Sequence, residues 1–101
     1  MPSKLLHTLI LLLLPLFVLS QKIDSTYVAN QNREVSNLRY KGKFNKAYQI
    51  SKTLLKELEK NHSEPIYFAQ TYFTKSRIEI ELGKYDDSFQ NSNRALKIYQ
   101  N

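Results

Sequence analysis

The residues of this chain whose types and spacing could do chemistry are few. Glu79 and Glu81 could share a proton or a cation, Asp86 and Asp87 could do the same, and His62 with Glu64 could begin a metal site. Each is better explained by local structure. Residues two apart on a helix diverge by about 200°, so Glu79 and Glu81 do not converge. Asp86-Asp87 opens an expected helix, where the positive end of the macrodipole favours carboxylates. His62 sits in an expected loop with no second histidine near it, and His7 belongs to the leader described below, so a zinc site is not indicated. The chain has no cysteine, which excludes disulfides, thiolate metal sites, redox pairs and a cysteine lipid anchor. Glycine-rich phosphate loops and nucleophile elbows are missing too. The sequence therefore points to no catalytic residue, no cofactor and no metal, and the expected class is not an enzyme.

The formal charge is +6, and removing the leader's one cation, Lys4, leaves +5. Such a surplus can mean a nucleic acid partner. Here Lys and Arg alternate with Glu and Asp along every expected helix, with no run of five, so a solvated surface accounts for them. The seven tyrosines, Tyr27, Tyr40, Tyr48, Tyr67, Tyr72, Tyr85 and Tyr99, could stack bases. They fall on or beside the apolar stripes and are read as packing. Protein or peptide is the expected partner, not nucleic acid.

Met1-Pro2-Ser3-Lys4 is a short basic region, and Leu5 to Leu19 is mostly leucine. Val18-Leu19-Ser20 offers a cleavage site before Gln21, so residues 1–20 read as a secretory signal peptide. The apolar run falls short of the ~20 residues that span a bilayer, and Pro15 would break a spanning helix. The expected location is therefore periplasmic or secreted. The alternative is a membrane-tethered accessory scaffold held by an uncleaved leader.

Residues 21–27 form a polar lead-in. A first helix is expected from about Asp24 to Tyr40 on a thin stripe of Val28, Gln31, Val35 and Leu38. Gly42 ends it, because glycine accepts the left-handed backbone of a helix C-terminus. A second helix, Phe44 to about Asn61, follows the i, i+3, i+4, i+7 pattern closely. Ser63 is read as the N-cap of a third helix, with Pro65 in its first turn. That helix runs to about Leu82, with Ile66, Ala69, Phe73, Ser76 and Ile80 on one stripe. Gly83 ends it, and a fourth helix carries Tyr85, Ser88, Phe89, Ser92, Ala95, Leu96 and Tyr99.

Those seven positions repeat Phe44, Ala47, Tyr48, Ser51, Leu54, Leu55 and Leu58 at an offset of 41 residues, as Gly83 repeats Gly42. Self-similarity at a fixed period marks stacked helical hairpins. On these residues the chain resembles the tetratricopeptide repeat: Gly42, Phe44, Ala47 and Leu54-Leu55 in one unit, then Gly83, Tyr85, Ser88 and Ala95-Leu96 in the next. The first helices depart from the family's pattern, with Glu34-Val35 and Lys75-Ser76 where Leu-Gly is favoured, and with Leu38 and Glu79 where a tyrosine is. The period also exceeds the family's usual ~34 by about two helical turns.

The resemblance implies an all-α fold of two stacked antiparallel helical hairpins, an α–α superhelix after the signal peptide, with repeat 1 over about 28–61 and repeat 2 over about 63–101. It implies close helix approach at Ala47 and Ser88 beside aromatic groove-fillers Phe44 and Tyr85. It also implies partner binding on the first helices, through Asn32, Ser36, Arg39, Gln70, Phe73, Arg77, Ile80 and Glu81, with Phe73 and Ile80 alternatively buried against the neighbouring unit. Longer repeats of this type occur in exported parts of bacterial sensors. The expected function is a protein-interaction module outside the cytoplasm, possible as the front of a signalling protein. With no capping helix after Tyr99, the end of the stack is expected to be apolar and to meet a second copy or further repeats in a longer chain.

Overall fold

The computed structural model describes residues 23–101, and every element in that range is α-helical. The expected leader lies outside the described residues. The helices are α1 (Ser25–Tyr40), α2 (Phe44–Lys60), α3 (Pro65–Glu81) and α4 (Tyr85–Gln100). No helix among the described residues is long and apolar enough to cross a membrane.

Local chemistry sets the boundaries. Asp24 caps α1, its carboxylate accepting from the Tyr27 amide at 2.9 Å. α1 thus begins within the stretch read as a lead-in. Its C-terminus closes with two reversed bonds: the Lys43 amide donates to the Leu38 carbonyl at 2.8 Å and the Gly42 amide to the Arg39 carbonyl at 3.0 Å. This is a Schellman motif, and it requires a left-handed residue, which Gly42 supplies at φ +74°. The end of α3 repeats it, from Lys84 to Glu79 and from Gly83 to Ile80, with Gly83 also at φ +74°.

The middle turn has the same pattern without a glycine. The Ser63 amide donates to the Leu58 carbonyl and the His62 amide to the Glu59 carbonyl, and His62 takes the left-handed conformation at φ +48°. Ser63 is consequently occupied as the tail of the α2 terminus. The residue preceding α3 is Glu64, whose side chain makes no capping bond. The expected Ser63 N-cap is therefore replaced by a Glu64-Pro65 start, in which proline at the first helical position removes one amide that would otherwise need a partner.

Packing follows the thin apolar stripes. α1 packs on α2 and α3, α2 also on α3, and α4 packs on α3 alone. Val35, Leu38, Ala47 and Ile78 form one buried cluster, flanked by Phe44, Tyr48, Ile50 and Leu82. Val28, Leu54 and Leu58 form a second, flanked by Ile23, Tyr27, Tyr67 and Phe68. The small residues Ala47, Ser51, Ala69, Ser76, Ser88 and Ala95 are all buried, which lets neighbouring backbones approach.

Candidate docking face and the buried ion pair beneath it

α4 meets only α3, and polar atoms join the two helices, on which Ala69 and Ala95 are also buried. The Ser88 hydroxyl donates to the Ser76 carbonyl at 2.9 Å. Asn91 donates from Nδ2 to both oxygens of Glu79, at 2.8 and 3.1 Å. Glu79 is wholly buried and accepts a third bond from the Lys75 ammonium at 2.8 Å, one turn earlier on the same helix. Lys75 Nζ also lies 5.0 Å from the centre of the Tyr48 ring, so its charge rests between a carboxylate and an aromatic face. Lys52 and Lys84 approach the same ring at 5.2 and 5.6 Å. On the far side of Asn91, Arg94 donates to Oδ1 at 2.9 Å and stands over the Tyr72 ring.

This chain of contacts runs from α2 through α3 to α4 and orients all three. The wholly buried Glu79 carboxylate thus accepts three bonds from two side chains, which hold it in place between α3 and α4. Glu81 points elsewhere, pairing with Arg39 of α1 at 3.2 Å, as the divergence of the two carboxylates requires. Among the described residues, no group of three His, Asp or Glu side chains could hold a metal ion.

Residues that the resemblance assigns to a partner divide into two sets. Asn32, Ser36 and Arg39 are half-buried. Asn32 Nδ2 donates to Thr71 Oγ1 at 3.2 Å and Arg39 pairs with Glu81, so both connect α1 to α3. Gln70, Phe73, Arg77 and Ile80 are exposed on α3, where Gln70 also lines a shallow hollow with Ser25, Ala29 and Arg33 of α1.

Phe73 and Ile80, which could have been buried against the neighbouring unit, are instead 51% and 53% exposed. The helix faces explain this. α3 turns Thr71, Lys75 and Ile78 toward α1 and α2, and Ser76 and Glu79 toward α4, leaving the Ile66–Phe73–Ile80 line outside both contacts.

The aromatics of α4 are exposed as well. Tyr85, expected to fill a groove, is 67% exposed, and Phe89 is 69% exposed. Leu96 and Tyr99 are exposed on the same line. Their counterparts 41 residues earlier, Phe44, Tyr48, Leu55 and Leu58, are half-buried or buried, and α3 lies over Phe44, Tyr48 and Leu58. Among the described residues nothing lies over α4 in that way. Tyr40, at the end of α1, is exposed too, so the reading of all seven tyrosines as packing fails for three of them.

What results is a continuous apolar face built from Ile66, Phe73 and Ile80 of α3 and Tyr85, Phe89, Leu96 and Tyr99 of α4. From their fractional exposures it presents on the order of 700 Å². That exceeds the roughly 300–600 Å² of the largest apolar patch on a typical monomer. The Lys75–Glu79–Asn91 contacts lie behind it and fix the two helices that carry it. The chain matches no family model, no curated protein and no solved structure.

Proposed function

We propose that this protein is a non-catalytic protein-interaction module that works outside the cytoplasm and docks through the exposed α3–α4 face. The observation carrying this reading is the seven-residue apolar face, whose four α4 members, Tyr85, Phe89, Leu96 and Tyr99, lie 41 residues after Phe44, Tyr48, Leu55 and Leu58, which are half-buried or buried in the same chain. The tetratricopeptide-like arrangement of two stacked hairpins is part of the proposal. It is supported by identical left-handed glycines at Gly42 and Gly83 and by buried small residues at Ala47, Ser88 and Ala95. Export rests on the leader sequence, and a mature N-terminus at Gln21, read by mass spectrometry, tests it.

Docking is tested by placing a photo-crosslinking amino acid at Phe89 of the full chain in producing cells, with Lys56 on exposed α2 surface as the control. A discrete protein adduct is expected from position 89 and not from position 56. Equal or absent crosslinking at both positions refutes docking through this face.

A further inference from the structure

We propose that the occupant of the α3–α4 face is a second copy of this chain, with the two α4 helices antiparallel and a two-fold axis at Ser92. The inference rests on the docking reading above and adds the identity of the partner.

On the apolar line of α4 the exposed side chains are spaced four, three, four and three residues apart: Tyr85, Phe89, Ser92, Leu96 and Tyr99. That is the seam spacing by which two helices interlock over a shared length. The seam is also symmetric about its centre. Tyr85 and Tyr99 have their midpoint at Ser92, and Phe89 and Leu96 have theirs within half a residue of it. An antiparallel copy therefore sets Tyr85 against the other chain's Tyr99 and Phe89 against its Leu96. A small residue falls at the axis, where the backbones come closest. Ser51, the counterpart of Ser92 in the covered face, is fully buried.

Charge obeys the same axis. Asp86 and Lys97 are eleven residues apart, so they lie within about 20° of each other on one flank of the helix. Their midpoint is again within half a residue of Ser92, so the same pairing brings each Asp86 beside the other copy's Lys97, twice over. Opposed charges on the flanks of an apolar seam set orientation and register. Phe73 and Ile80 of α3 border the seam and extend the buried area. The face that this pairing draws on presents about 700 Å² per copy, of the same order as the ~800 Å² per partner of a standard stable interface.

Open-ended stacking of copies is disfavoured by the other end of the molecule. Continuing the 41-residue arrangement would require α1 of the next copy to lie on this face as α3 lies on α1 and α2. The α1 positions corresponding to Thr71, Lys75 and Ile78 are Asn30, Glu34 and Asn37, all exposed and polar. Burying them against Phe73 and Phe89 would leave their polar groups without partners. A two-fold arrangement places like with like and closes at two copies.

Because the chain has no cysteine, one substitution reports the axis. In the full chain, Ser92→Cys should form a disulfide-linked dimer of twice the chain mass under mild oxidation, since only residues at the axis bring their own Cβ atoms within the ~4.5 Å that a disulfide needs. Gln90→Cys, exposed on another face of α4, should give at least tenfold less. Sedimentation equilibrium should give a dimer mass for the unmodified chain and a monomer mass for Phe89→Glu with its helical circular dichroism retained. Monomeric Ser92→Cys, or linkage no better than at Gln90→Cys, overturns the two-fold. The Phe89 crosslink separates the two proposals: an adduct with a different protein leaves docking standing and removes the second copy, whereas no adduct removes both.

Discussion

Replacing Glu79 by glutamine removes one charge from a site with no solvent contact and leaves the Lys75 ammonium, whose side chain is 11% exposed, without its counter-ion. Glutamine can still accept one bond from Asn91, so the main loss is the ion pair at 2.8 Å. Breaking a buried pair from one side typically costs about 3–5 kcal/mol. Lys75 can shift its head along the Tyr48 ring toward water, which places the expectation near ~3 kcal/mol. In a domain of this size that corresponds to a fall in Tm of about 15 °C. Replacing both partners, Lys75→Met with Glu79→Leu, removes charge and counter-charge together and should recover much of the loss. Asn91 then lacks its acceptor, at a cost of about 1–3 kcal/mol, so adding Asn91→Leu should recover more. Urea unfolding followed by circular dichroism, at one fixed chain concentration, measures the series. If Glu79→Gln costs less than about 1 kcal/mol, or the triple variant is less stable than Glu79→Gln, the account of Glu79 as a buried, fully paired carboxylate is wrong.

Other perturbations follow from single features. Gly42→Ala and Gly83→Ala should each destabilise by about 1 kcal/mol. A Cβ there meets nothing within 4 Å, so a much larger loss in thermal unfolding would mean a contact that this geometry excludes. His62→Gly should stabilise by roughly 0.5 kcal/mol, the relief of left-handed strain being partly offset by the freer unfolded chain; a loss of stability would contradict the φ of +48°. Ser51→Ala should raise stability by about 1 kcal/mol, because Ser51 Oγ is buried without a hydrogen-bond partner; an unchanged denaturation midpoint would indicate that the hydroxyl is satisfied. Burial, with the bond from Tyr27 to Glu57 at 2.7 Å, pushes the Tyr27 hydroxyl up from 10.0 to about 12. A group raised in the folded state stabilises below its unfolded value and loses that contribution as pH rises through the folded one. Stability should therefore fall between pH ~10 and ~12 more steeply in the parent chain than in Tyr27→Phe, and superimposable melting profiles would remove the effect.

The all-helical fold was legible in the sequence because its determinants are local. Gly42 and Gly83 as left-handed terminators and the apolar spacing of α2 and α4 depend on residues within a few turns of one another, and the 41-residue echo is the recurrence of these local patterns. The middle turn was harder. Its left-handed position is filled by His62, for which no composition rule signals a terminator, and Ser63, a good capping type, is already committed to closing α2.

Glu79 shows where local reasoning stops. Its spacing from Glu81 correctly separated the two carboxylates, but one helix cannot reveal that Asn91 and Lys75 would meet it away from water. Phe73, Tyr85 and Phe89 make the same point in reverse. As residue types they belong in a core, and the pattern placed them on stripes. Whether a stripe is covered depends on another helix arriving over it. α3 arrives over Phe44, Tyr48 and Leu58, and no described element arrives over Tyr85, Phe89 and Tyr99. The sequence by itself determined the helices, the two ends closed by Gly42 and Gly83, and the 41-residue period, since these follow from backbone geometry and short-range side-chain chemistry. Only the tertiary structure decided which apolar stripe is core and which is surface, because burial is a property of the neighbours a residue meets, not of the residue.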